Sequence, residues 1–118
     1  MIGSGVFEFE IDGKTVGFEF GMLAAAYTEE KAGMNILELF KQLGTGSSTT
    51  KSIINYFYGG AVAYAEFREL PDKITVAKVS KWLDHIGLEK AMEIYLKSIE
   101  AYLPKNGKAP KGAKLADV

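Results

Sequence analysis

The 118-residue chain predicts an α+β fold: an N-terminal β-hairpin packed on a mainly helical domain of about five helices, with a basic C-terminal tail. Two observations carry this. Apolar residues alternate with charged ones on both sides of an Asp-Gly pair, and the rest of the chain repeats apolar residues at helical spacing between Gly, Asn and Pro breaks. A loss of apolar content after Pro104 marks the tail.

The hairpin spans residues 6–20. Phe7, Phe9 and Ile11 alternate with Glu8, Glu10 and Asp12, and Val16, Phe18 and Phe20 alternate with Gly17 and Glu19. Period-two alternation gives each strand one apolar face. Asp12-Gly13 suits a two-residue type I′ turn, because both residues tolerate positive φ. A lone hairpin is marginal in water, so its aromatic face must pack on the helices.

Helices are predicted over 22–32, 36–43, 51–67, 76–86 and 88–103. Gly33 ends the first as a C′ residue. Asn35 caps the second, with Glu38 three residues on, Met34 and Leu39 at staple positions and Gly44 as its stop. Thr49 or Thr50 caps the third, which is apolar around most of its circumference and should be central. Its polar arc is Ser52, Asn55 and Glu66, and its interior Gly59-Gly60 predicts close approach of another helix or of the hairpin. Thr75 caps the fourth, whose Val79, Trp82, Leu83 and Ile86 face inward. In the fifth, Leu88, Met92, Tyr95, Leu96, Ile99, Tyr102 and Leu103 form a broad apolar face, opposite Glu89, Glu93, Lys97 and Glu100. Ile94 falls on the polar side and is a candidate surface contact.

Composition narrows the function classes. The chain is long enough for one domain, over 1–104, with a single core. A net charge of −1 argues against a general nucleic-acid binder. That balance hides an acidic body followed by Lys105, Lys108, Lys111 and Lys114 in the 105–118 tail. Such a tail lacks the apolar content to offset its ordering entropy and should be disordered when free, either as a solubilising segment or as one that orders on an acidic partner. There is no cysteine, which removes disulfides and thiolate chemistry and fits a reducing compartment. No secretory leader and no membrane-spanning run are visible, so an intracellular, soluble protein is expected.

No motif carries catalysis. Gly44 to Ser52 has a phosphate-loop look, but Thr50 stands where glycine must precede the lysine, and the segment follows a helix instead of a strand. Gly13-Lys14-Thr15 lies in the hairpin turn. His85 is the only histidine, which excludes multi-histidine metal sites, and its wheel position beside Lys78 and Lys81 predicts exposure. Glu8, Glu10 and Glu19 share one side of the hairpin, as a solvated strand face would; the alternative is a metal or acid/base site. No cofactor is implied.

The order of these signals resembles a known family. Ile-Asp-Gly-Lys-Thr-Val-Gly-Phe-Glu-Phe-Gly-Met at 11–22, Asn-Ile-Leu-Glu-Leu-Phe-Lys-Gln-Leu-Gly at 35–44, Tyr-Phe-Tyr-Gly-Gly-Ala at 56–61, the threonine-capped helix at 75–86 and the Gly-Leu-Glu-Lys-Ala-Met-Glu helix at 87–93 resemble the tail assembly chaperones of long-tailed phages. The likeness runs over about residues 7–110 and rests on order and spacing. It implies a non-enzymatic protein of the host bacterial cytoplasm, absent from the mature virion. Such a protein would bind the tape measure protein, keep it soluble and help recruit tail tube subunits. It also implies, in many members, a longer frameshifted product. The partner-binding candidates are then Ile94 and Tyr102 on the fifth helix and Lys105, Lys108, Lys111 and Lys114 in the tail. Self-association would cover the apolar surface between clients. The competing readings are a virion-borne connector or adaptor, and a helical DNA-binding regulator, although no basic recognition helix is visible.

Overall fold

Residues 5–47 and 49–102 are described in a computed structural model, and they form the predicted α+β arrangement. The order is β1 (Val6–Ile11), β2 (Lys14–Glu19), α1 (Met22–Ala32), α2 (Ile36–Thr45), α3 (Thr50–Phe67), α4 (Val76–Ile86) and α5 (Leu88–Ser98), closed by a 3₁₀ turn over Ile99–Tyr102.

The strands pair antiparallel from Ile11–Lys14 at the turn to Val6–Glu19 at the open end. Asp12 and Gly13 take φ of 53° and 78°, the left-handed pair that a type I′ turn demands. Beyond β2, the Phe20 N–H donates to the Gly5 carbonyl at 2.7 Å. Directly opposed residues share a face, so Phe7 with Phe18 and Phe9 with Val16 form the apolar side. Phe18 is fully buried, its ring 5.1 Å from that of Phe57 and 6.2 Å from Trp82. Phe20 stacks on Tyr56 at 4.8 Å. The hairpin is therefore held by aromatic contacts from α3 and α4.

α3 runs through the centre, and Tyr56, Phe57, Ala61 and Ala63 are buried on it. Both interior glycines are sites of close approach. A Cβ on Gly59 would lie 2.5 Å from the Ala24 carbonyl oxygen of α1, and one on Gly60 would lie 2.6 Å from the Phe20 ring. The helix and the hairpin each take one glycine. The same seam corrects the predicted polar arc: Ser52 and Asn55 are buried, and only Glu66 of the three is exposed. Helical spacing puts Ser52, Asn55 and Ala63 within roughly 40° of Gly59. Small side chains on that side let α1 lie close with Ala24, Ala25 and Thr28.

Three predicted caps form as expected. Asn35 accepts from the Glu38 N–H at 2.8 Å, Thr49 from Ser52 at 3.2 Å and Thr75 from Lys78 at 3.1 Å. Glu29 of α1 adds a bond from the Ile36 N–H at 2.8 Å, which ties α1 to the start of α2. α2 ends later than predicted. It continues through Gly44 to Thr45, because Gly46, at φ 77°, closes it with bonds to the Gln42 and Leu43 carbonyls.

α5 differs most. Leu88 and Leu96, predicted to face inward, are 70% and 65% exposed, while Ile94, predicted on the polar side, is 2% exposed. The buried face is Ala91, Ile94, Tyr95 and Ser98. It is centred roughly 100° away from Met92, the middle of the predicted apolar face. The Tyr56 hydroxyl bonds to Ser98 at 2.5 Å, Ser98 donates on to the Tyr95 carbonyl at 2.7 Å, and Tyr95 packs edge-on to Tyr56 at 5.3 Å. These contacts and the small Ala91 and Ser98 set the rotation of the helix, so bulk alone did not choose its inner face.

Candidate binding surfaces

The outer face of the hairpin is not a free carboxylate cluster. Tyr64 donates to Glu8 at 2.6 Å, Thr15 to Glu10 at 2.7 Å and Arg68 to Glu19 at 2.6 Å. The Arg68 guanidinium lies over the Tyr64 ring at 4.0 Å. Gly17 makes this possible, since a Cβ there would lie 2.6 Å from Tyr64 Cζ. Burial, followed by the bond to Glu8, pushes the Tyr64 hydroxyl above its ordinary pKa, and the bond to Glu19 raises that of Arg68. Glu8 and Glu19 thus clamp the hairpin to the C-terminal half of α3 and its end, while Glu10 bonds across the hairpin itself. The sequence signal for this was a glycine at an outward position of an aromatic-rich strand. Among the described residues no group of three His, Asp or Glu side chains is placed to hold a metal.

Beside β2 lies a groove of about 640 Å³, bounded by the hairpin, the C-terminal half of α3 and α4. Val16, Trp82, Ile74 and Leu70 supply apolar lining, and Lys14 and Lys81 stand on opposite walls. His85 is exposed there, as its wheel position predicted. Sequence periodicity placed Trp82 and Val16 in the core. It could not show that hairpin and helix diverge and leave both partly open.

On α5, the residues that the rotation turned outward form a strip. Leu88, Met92 and Leu96 fall at i, i+4 and i+8, with Leu88 and Leu96 exposed and Met92 partly buried. Charge lines its solvent side: Glu93 pairs with Lys97 at 3.2 Å and with Lys90 at 3.6 Å, and its carboxyl is held below the ordinary pKa, chiefly by Lys97. Of the predicted contact residues, Ile94 is structural, because its side chain is packed in the core. Tyr102 is half-buried and ties the final 3₁₀ turn to the start of α1 and to α2. Its hydroxyl accepts from the Gly21 N–H at 3.3 Å and its ring lies 5.4 Å from Phe40. Lys105, Lys108, Lys111 and Lys114 lie outside the described residues.

No helix among the described residues is long and apolar enough to cross a membrane. Compared with known proteins, the chain matches no family model, and no curated protein or solved structure is found similar to it.

Proposed function

We propose that this protein is a non-enzymatic tail assembly chaperone of a long-tailed phage or prophage, acting in the host cytoplasm. It binds the tape measure protein, keeps it soluble and helps bring in tail tube subunits before leaving the finished tail. The ordered motifs at 11–22, 35–44, 56–61, 75–86 and 87–93 support the family. The single structural observation in favour is the strip of Leu88, Met92 and Leu96, in which the fold leaves Leu88 and Leu96 exposed on either side of a partly buried Met92. A holdase needs accessible apolar surface together with flanking charge that keeps it soluble, and the strip has both.

The test is co-expression with the tape measure protein encoded beside it, with soluble client measured as the readout. Wild-type protein should raise the soluble fraction, and Leu88→Glu with Leu96→Glu should abolish that gain while the domain stays folded. Rescue lost on deleting residues 105–118 would move the contact to the lysines. A wild-type chain that yields neither complex nor rescue, and that is found in purified particles, would establish the connector or adaptor reading instead.

A further inference from the structure

Charge at the end of α3 is left unmatched by the fold. Arg68 closes the helix; the Glu69 N–H donates to the Glu66 carbonyl at 3.1 Å and the Leu70 N–H to the Ala65 carbonyl at 2.9 Å. This Schellman closure puts Glu69, at φ 53°, in the left-handed position where glycine is usual. Glu66 and Glu69 are both exposed, and they lie at the negative end of the helix dipole, where carboxylates are disfavoured. Arg68, the cation of this turn, is engaged with Glu19 at 2.6 Å. Glu66 accepts from the Tyr27 hydroxyl, a neutral donor that leaves the carboxylate charge in place.

These two carboxylates and Asp72 line a second hollow, of about 510 Å³, within the range of about 300–1,000 Å³ of ordinary binding pockets. Its apolar lining includes Tyr58, Val62, Leu70 and Ile74, and its one amine is Lys73. Lys31 stands nearby, over the Tyr58 ring at 4.8 Å. In the groove beside β2 three lysines meet three aspartates, whereas here one lysine meets three carboxylates. An apolar hollow with an acidic excess suits a basic occupant with small apolar side chains. The chain carries such a segment. Lys105, Lys108, Lys111 and Lys114 recur at every third position, the period of a polyproline II helix, and Pro104 and Pro110 favour that backbone. With three residues per turn the lysines share one face; Ala109, Gly112 and Leu115 fall on a second, and Pro110, Ala113 and Ala116 on the third.

We infer that segment 105–118 of the same chain lies in this hollow, with its lysines on Glu66, Glu69 and Asp72 and its small side chains against Val62, Leu70 and Ile74. Proline-containing segments of this backbone dock in grooves with an aromatic lining, supplied here by Tyr58. The segment starts close enough to reach. The Tyr102 hydroxyl is anchored to the Gly21 N–H at the head of α1, and Tyr27, about 9 Å further along that helix, bonds to Glu66 on the rim. Lys105 to Lys114 follow Tyr102 by up to about 10–40 Å of extended chain. Attachment also gives the segment an effective concentration of about millimolar, which a basic segment of another protein would have to match. The inference stands independently of the chaperone role.

The experiment uses the full chain with a nitroxide label on Asp117→Cys, beyond the lysine series; the chain has no other cysteine to compete for the label. Methyl resonances of Val62, Leu70 and Ile74 should lose intensity selectively, while those of Leu88 and Leu96 keep theirs. Raising the ionic strength from about 0.01 M to 1 M, which cuts the Debye length from about 30 Å to 3 Å, should remove most of that loss. Glu69→Lys with Asp72→Lys, both at exposed positions, should abolish it, and adding Lys108→Glu with Lys111→Glu to the same chain should restore it. If the first pair unfolds the domain, the tail pair alone decides, since it should abolish the loss with the domain unchanged. Weak loss spread over the whole surface, or loss centred on Leu88 and Leu96, would overturn the inference. So would loss seen only when label and isotope sit on different chains, because the occupant would then be the tail of a second copy. None of these readouts involves a client: failed client rescue would remove the chaperone role and leave the inference standing, and absence of selective loss would do the reverse.

Discussion

The α1–α3 seam and the outer strip of α5 are both helix surfaces, yet they ended in opposite places. At the seam, Ser52, Asn55, Gly59 and Ala63 carry little hydrophobic bulk, and Ser52, Asn55 and Ala63 are buried along with the glycine. On α5, Leu88 and Leu96 carry much and are exposed. Burial here followed how closely backbones can approach, not side-chain hydrophobicity. Close-packed interiors select complementary shape, and a small residue opposite a small residue fills space that a leucine would overfill.

Substitutions on the two surfaces can break or sharpen that comparison. The largest effect is expected at the buried face of α5: Ile94→Ala should cost about 2–5 kcal/mol in urea unfolding, whereas Leu96→Ala on the same helix should stay within about 0.5 kcal/mol. Equal losses would restore the sequence-predicted face. At the seam, Gly59→Ala should cost about 1–3 kcal/mol, because the new Cβ meets Thr28 and the Ala24 backbone. Gly44→Ala, in a helix where a Cβ meets nothing within 4 Å, should instead stabilise by up to about 1 kcal/mol.

The hydroxyl chain that fixes α5 gives a smaller and pH-dependent effect. Tyr56→Phe should cost about 1 kcal/mol, the net value of one buried hydrogen bond. Burial raises the Tyr56 hydroxyl above the ordinary tyrosine value and pushes Tyr102 up to about 12. A raised pKa means that the folded state holds its proton more tightly than the unfolded chain. The associated stability is fully present below about pH 10, the unfolded value, and falls as pH rises towards 12. Unfolding free energies measured between neutral pH and that point should show the fall, and Tyr102→Phe should make it shallower. The smallest change in stability is expected for Leu88→Glu with Leu96→Glu, which exchanges exposed side chains for other exposed ones; under the proposed chaperone role its effect would fall on client binding.

The sequence by itself determined the local events. Period-two alternation and Asp12-Gly13 set the hairpin, and Asn35, the Thr49-Thr50 pair and Thr75 set three helix starts, because each involves neighbours a few residues apart whose geometry is the same in any context; that Thr49 and not Thr50 is the cap came from the structure. It also foretold that Gly59-Gly60 would be a place of contact, since glycines in a helix interior need a compensating neighbour. Tertiary structure alone decided which neighbours came: α1 at one glycine, Phe20 at the other, and Tyr64 reaching over Gly17 to Glu8. It alone rotated α5, through Tyr56 and Ser98, residues 42 apart in sequence. Helical periodicity reports which side of a helix is most apolar. Which side is buried depends on the shape of the surface it meets, and that surface does not exist until the other elements have packed.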